Sequence, residues 1–265
     1  MTDLRGRPAL LALVGGLVVA RLAWHPTPAI CSRMTMTACL LVANLLVAAV
    51  GLVSWSARAT WLAVRAARDL AGLPRLPAPD ALADAARRVG VRDRDLVVVD
   101  DPPPSAFCAG LLRPRVFVTS GMVTSLAGEE LQAVLVHEAE HARRRDPLRR
   151  LAGRAAAEVL FWLPLVGWWS ASALEDAELA ADRAAIQRVG RRPLARALRA
   201  TAATAVPAGA RFDGAGPARV TQLLGEQPPP RRPPLVACLL SLLGLVVAVS
   251  LAMCVGQGLA SAVLG

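Results

Sequence analysis

Three long apolar runs and one mixed middle stretch organise this chain. Ala9–Trp24 is apolar apart from Arg21, Thr37–Trp55 has Asn44 as its only strongly polar side chain, and Leu235–Val255 carries no charge. A hydrocarbon core about 30 Å thick needs about 20 apolar residues in a helix. The pattern therefore predicts three transmembrane helices, at about 9–24, 37–55 and 235–255. The first is short, with Arg21 snorkelling to the interface. Asn44 reads as helix-packing glue, not as a site.

Charge sets the orientation. Arg58, Arg65, Arg68 and Arg75 follow the second run, and the first acidic residue among them is Asp69. Positive loops stay inside, so this basic linker, 58–75, is expected in the cytoplasm, together with the N-terminus. The turn over 25–36 then lies outside. The third run is entered from Arg231-Arg232, which puts the C-terminus and a short tail, 256–265, outside as well. The expected organisation is a membrane region over 1–57, the linker, a cytoplasmic domain over 76–230, and the last span.

The middle stretch alternates too finely for a membrane. Pro-rich Leu73–Pro79 leads into an amphipathic helix, Asp80–Val89, stopped by Gly90. Leu96–Asp100, Ser105–Leu112 and Arg115–Ser120 read as strands, the first broken by Pro102-Pro103-Pro104. A helix starts near Gly128 with Glu129 and Glu130 at its positive end. Asp146-Pro147 opens another, to about Leu163, because aspartate caps and proline suits the first helical position. Ser172-x-x-Glu175 is a capping box predicting a third helix, Ala173–Arg188, closed by Gly190. Val159–Leu174, with Trp162, Trp168 and Trp169, is too short to span and contains Pro164 and Gly167. It reads as a buried or interfacial helix–turn–helix with its tryptophans at headgroup depth. The fold class predicted is thus a membrane protein, mostly α with a small β-sheet.

Composition narrows the chemistry. The chain is 55% hydrophobic with a formal charge of +10, and its 30 basic residues are all arginine. Without lysine there is no P-loop, no Schiff base and no S-x-x-K acylation motif. The arginines flank apolar runs and no nucleic-acid motif accompanies them, so no nucleic-acid partner is expected. The five cysteines lack C-x-x-C spacing and give neither a disulfide framework nor a cysteine metal site.

The candidate chemistry sits in His137-Glu138-Ala139-Glu140-His141. Residues four apart on a helix share a face, so two imidazoles can close on one ion, and Glu138 can reach a water there without being a ligand. This is the H-E-x-x-H pattern of zinc peptidases. The bland alternative is a solvated face with ion-paired glutamates, but two of the chain's three histidines fall at this spacing. A catalytic zinc takes three protein ligands. His25 is expected outside, which leaves a carboxylate or Cys108. Glu178 and Asp182 stand four apart on the third helix. Glu178 is assigned as third ligand and Asp182 as a carboxylate orienting one histidine. Glu138 would take a proton from water and pass it to the leaving amine, while Glu140 points off the face. There is no tyrosine, so oxyanion support falls to the metal or an arginine, with Arg183 the first guess. Ser105, Ala106, Phe107, Cys108 and Ala109 form a possible edge strand to which a substrate peptide could add; a plain core strand is the even alternative.

These residues carry a resemblance. The H-E-x-x-H stretch with Ala142–Pro147, together with Glu178-Leu179-Ala180-Ala181-Asp182, resembles the BlaR/MecR-type membrane zinc metallopeptidases. Ser105–Gly121 is similar to the segment before the zinc helix there and in the related HtpX/CAAX-protease-like membrane gluzincins. The likeness covers roughly 95–225, including Arg219-Val220-x-x-Leu223-Leu224. It implies a gluzincin-type α+β zinc peptidase domain facing the cytoplasm, with one Zn2+ per chain held by His137, His141 and Glu178, and Glu138 as base. It also implies a protein substrate in regulated proteolysis, such as a cytoplasmic transcriptional repressor. No β-lactam-binding domain is expected in this chain, which departs from the antirepressors in lacking S-x-x-K. The competing expectation is a non-catalytic membrane signalling or scaffold protein that retains a structural metal helix.

Overall fold

A computed structural model describes residues 36–202 and 216–264. The expected first span, 9–24, His25 and the turn over 25–36 lie outside the described residues, apart from Met36. Among the described residues the chain is mostly helical with one small sheet, and it divides into two compact units.

One unit contains 36–58, 155–168 and 233–264 of the described residues. It holds the first part, 36–58, of the long helix α1, Met36–Ala71, and the long helix α9, Leu235–Leu264. Helix α1 extends well past the predicted 37–55, because 58–71 holds alanine and arginine with no glycine or proline to stop it. The expected linker is therefore largely helical. By length and composition, Leu41–Ala71 and Leu235–Cys254 are apolar enough to cross a membrane. Leu41, Leu45, Leu52, Leu235, Leu242 and Leu251 are all exposed, a surface suited to lipid rather than to water. Within this unit Arg58 pairs with Glu158, and the Leu165 amide donates to Ser241 Oγ at 2.9 Å.

The other unit contains 59–154 and 169–232. Its sheet runs β1 (Arg75–Leu76), β2 (Leu96–Val99), β4 (Arg115–Thr119), β3 (Ala106–Ala109). The β2–β4 pair is parallel and both flanking pairs are antiparallel, which leaves β3 at an edge. Alternation predicts β2 to β4 within a few residues at their ends; β1 is too short to leave a periodic signal. Helix α2, Asp80–Arg88, buries Leu82, Ala85 and Ala86. A short helix, α3 (Ser120–Ser125), follows β4 directly. Thr119 makes that junction. Its Oγ1 accepts from the amides of Met122 and Ser105 and lies 2.8 Å from the Pro103 carbonyl.

Helix α4, Gly128–Arg144, is the centre of this unit. Leu131, Ala133, Val134, Leu135 and Val136 are buried on it, in one core with Val98, Ala106, Val116, Val118, Leu194 and Leu198. So much burial on one helix means that it is enclosed on several sides rather than laid on a surface. It packs against β3, β4, α2 and α7 (Arg191–Ala202).

Helix α5 runs Asp146–Val159, shorter than the predicted reach to Leu163, and α6 runs Pro164–Val189 without a break. The predicted boundary at Ser172 does not exist. Pro164 takes the first helical position, where its missing N–H costs nothing, and Gly167, in the first turn, does not stop the helix before Gly190. Gly190, at φ +93°, ends the helix where expected. Helix α8, Pro217–Leu224, completes the unit.

Candidate metal centre

His137 and His141 occupy successive turns of α4, and both are buried. Their Nε2 atoms are 3.1 Å apart. From α6, Glu178 brings Oε2 to 3.4 Å from His137 Nε2 and Oε1 to 3.4 Å from His141 Nε2. Among the described residues these three form a group able to hold a metal ion, one ligand atom from each, all within 4.8 Å of one another.

The far side of each ring is also met by a carboxylate. His141 Nδ1 donates to Asp146 Oδ2 at 2.8 Å. His137 Nδ1 lies 2.9 Å from Asp182 Oδ1, out of line with a straight ring N–H bond. Carboxylates there favour the proton on Nδ1, which leaves both Nε2 lone pairs turned inward. Two nitrogen lone pairs and a carboxylate then converge on one point, a place for positive charge supplied by an added proton or by a metal ion. That arrangement is repulsive unless a cation enters. Tetrahedral bonds of about 2.0–2.1 Å to N and O ligands imply ligand–ligand edges of about 3.3–3.4 Å, close to the separations here. The donor set fits a divalent ion such as zinc.

Electrostatics agree with an electron-rich cluster. Burial pulls the His141 imidazole down, but hydrogen bonds with Asp146 and Glu178 outweigh it and raise it to about 9. His137 is likewise raised, Asp182 and Glu178 overcoming its burial. Burial pushes Glu178 up, and the two imidazoles hold it far below the usual carboxylate range. Glu138 lies beside the cluster, buried, and burial raises its carboxyl against the pull of both histidines. A buried carboxylate with a raised pKa is suited to taking a proton near neutral pH.

Two guanidiniums complete the surroundings. Arg219 of α8 grips Asp182 in a bidentate pair, Nε to Oδ2 at 2.6 Å and Nη2 to Oδ1 at 2.7 Å, with Nη1 3.4 Å from Glu178. Arg150 of α5 donates to Glu178 Oε1 at 2.5 Å, its Nη2 3.5 Å from His141 Nε2.

The other candidates fall elsewhere. Arg183 is exposed, on the face of α6 away from buried Asp182 and Ala181, so it does not take the role guessed for it. Cys108 is not in the metal group, and burial raises its thiol strongly. Glu140 pairs with Arg143 at 2.6 Å, off the histidine face. Ser105 is buried just before edge strand β3, and Phe107 stacks on Phe117 with centroids 5.0 Å apart.

Known proteins are similar to this chain in sequence. The model of the BlaR1 peptidase M56 family covers residues 23–212, most of the chain, including the H-E-x-x-H helix and Glu178. The chain belongs to the BlaR1 peptidase M56 family. Relatives named protease HtpX homolog are also similar. The one from Ligilactobacillus salivarius is 33% identical over 85 residues, 30% of this chain and 29% of that protein. The one from Persephonella marina is 32% identical over 94 residues, 34% and 32% of the two chains. The one from Caldanaerobacter subterraneus is 36% identical over 67 residues, 24% and 22%. The chain thus aligns with about a third or less of these relatives' length.

Three residues of this M56 chain around the cluster escape a reading of spacing. By its sequence Asp146 is a helix cap, yet it faces His141. It gets there because Arg145 adopts the left-handed conformation, φ +55°, closing α4 and turning the chain beneath the ring. Arg150, one turn after Asp146, shares its helix face; this i, i+4 pair was the available signal. Arg219 lies 37 residues beyond Asp182. Spacing does not connect it to Asp182; its one signal is the Arg219-Val220-x-x-Leu223-Leu224 stretch that carries part of the family resemblance.

Proposed function

We propose that this chain is an integral-membrane zinc-dependent endopeptidase. It would cleave a cytoplasmic or membrane-associated protein, in regulated proteolysis or signalling. The observation that carries the reading is the convergence of two imidazoles and a carboxylate, one ligand atom from each, beside buried Glu138.

His137, His141 and Glu178 would hold the ion, which supplies Lewis acidity to a substrate carbonyl and acidifies a water. The rest is the work of this chain. Asp146 and Asp182 fix the tautomer and tilt of the two rings, and Arg219 fixes Asp182. Glu138 accepts a proton from water as its oxygen adds to the carbonyl carbon, and returns it to the amine nitrogen as the C–N bond breaks. Edge strand β3, at Ala106–Ala109, offers backbone groups to an extended peptide, with Ser105 leading into it. The domain would stand on the cytoplasmic side, anchored by the spans, and a transcriptional repressor is one substrate of suitable kind.

The test compares full-length wild-type protein with Glu138→Gln, in detergent, on labelled casein. Loss of about 10²–10⁴-fold in hydrolysis with metal retained is expected. Equal rates, or none in either protein, would favour the scaffold alternative. Proteomes of cells carrying the two forms would then reveal the substrate as a protein that accumulates uncut with Glu138→Gln.

A further inference from the structure

The described residues around Glu178 include two cations, and they are not equivalent. Arg219 is buried and engaged by Asp182 through two hydrogen bonds. Its geometry is spent. Arg150 keeps 26% of its side chain exposed, holds Glu178 through one terminal nitrogen, and has an enclosed Nε–H with no acceptor. It therefore sits at the open edge of the donor cluster with donor capacity unused. The chain has no tyrosine to supply a hydroxyl there.

Its placement follows from α5. Asp146 and Arg150 are four apart on one face of that helix. The element that orients His141 through Asp146 thus also hangs a guanidinium over Glu178, within 3.5 Å of His141 Nε2. One rigid helix positions both.

We propose that Arg150 is a catalytic residue that donates to the carbonyl oxygen of the scissile peptide. This rests on the peptidase reading above. As the water oxygen bonds to the carbonyl carbon, the carbonyl π electrons move onto the carbonyl oxygen, and Glu138 takes the proton released from the water. The new negative charge is met by the Arg150 guanidinium, which turns one N–H from Glu178 to the oxygen. When the carbonyl re-forms, the electron pair of the C–N bond leaves with nitrogen and the proton on Glu138 follows it. A charged donor already in place at the site acts more strongly on this developing charge than on the neutral ground-state carbonyl.

The experiment uses the full chain in detergent as wild type, Arg150→Met and Arg150→Lys, with Glu138→Gln as control. Three assays are read: zinc affinity by chelator competition, kcat and KM on casein, and affinity for a phosphoramidate dipeptide compared with a hydroxamate. Arg150→Met should keep zinc affinity within about threefold and lose about 10²–10³-fold in kcat with KM nearly unchanged. It should bind the phosphoramidate far more weakly and the hydroxamate about equally, with Arg150→Lys in between. Zinc lost in Arg150→Met would make Arg150 a clamp on Glu178 and overturn the proposal. So would unchanged kcat and phosphoramidate affinity. If wild type cleaves no casein, the peptidase reading fails on that arm, while inhibitor affinity still decides whether Arg150 meets an oxyanion.

Discussion

Asp146 and Asp182 each set a carboxylate against the outer nitrogen of one imidazole, and in the proposed zinc site each would aim that ring without touching the ion. Such partners are worth about 10–100-fold in metal affinity. Asp146→Asn and Asp182→Asn should each weaken zinc binding by that factor in chelator competition; unchanged affinity would show that the rings are held by packing alone. At this scale, much of the cluster was readable from spacing. Two i, i+4 pairs, His137/His141 and Glu178/Asp182, place four side chains on two helix faces. Spacing says less about the other participants. Asp146 looks like an ordinary cap, and its role depends on a left-handed residue that an arginine gives no warning of. Arg150 and Arg219 are two among 30 basic residues. Arg183 was the wrong choice because sequence proximity to Asp182 says nothing about which way an adjacent helical residue faces.

Among elements, the α4–α5 turn carries backbone strain and the β4–α3 junction a close backbone contact. Arg145, exposed at φ +55°, holds a conformation that costs an L-residue about 1–2 kcal/mol and glycine very little. Arg145→Gly should therefore raise stability by about 1 kcal/mol in thermal or denaturant unfolding, with zinc affinity retained. A loss of stability would mean that its side chain matters more than its backbone. Gly121 is the opposite case. A Cβ there would stand 1.8 Å from the Pro102 carbonyl oxygen, and backbone cannot move aside cheaply. Gly121→Ala should cost at least ~2 kcal/mol or prevent folding, read by the same unfolding experiment. Neither feature shows in hydrophobic periodicity, which does place β2, β3, β4 and α4 to within a few residues. The capping box at Ser172 failed for a related reason: a local cap competes with a helix already propagating from Pro164, and adding a residue to an existing helix is easier than starting a new one.

For the whole molecule, the exposed leucines of α1 and α9 and the arginines after the second apolar run concern the bilayer. The chain should stay with membranes through alkaline carbonate extraction. By the positive-inside argument, alkaline phosphatase fused after residue 264 should be active, and after residue 230 inactive. The reverse pattern would place the metal cluster on the outer side and remove cytoplasmic proteins as substrates. Apolar length made α1 and α9 legible, but not where α1 ends, since an alanine- and arginine-rich segment continues a helix as readily as it forms a linker.

The central claim is that one divalent ion is shared by His137, His141 and Glu178. Elemental analysis of purified full-length protein tests it most directly, across wild type, Glu138→Gln and Glu178→Ala. One zinc per chain is expected in the first two and well under one in the third. A wild-type protein without metal, or a Glu178→Ala variant that keeps its full share, would contradict the account.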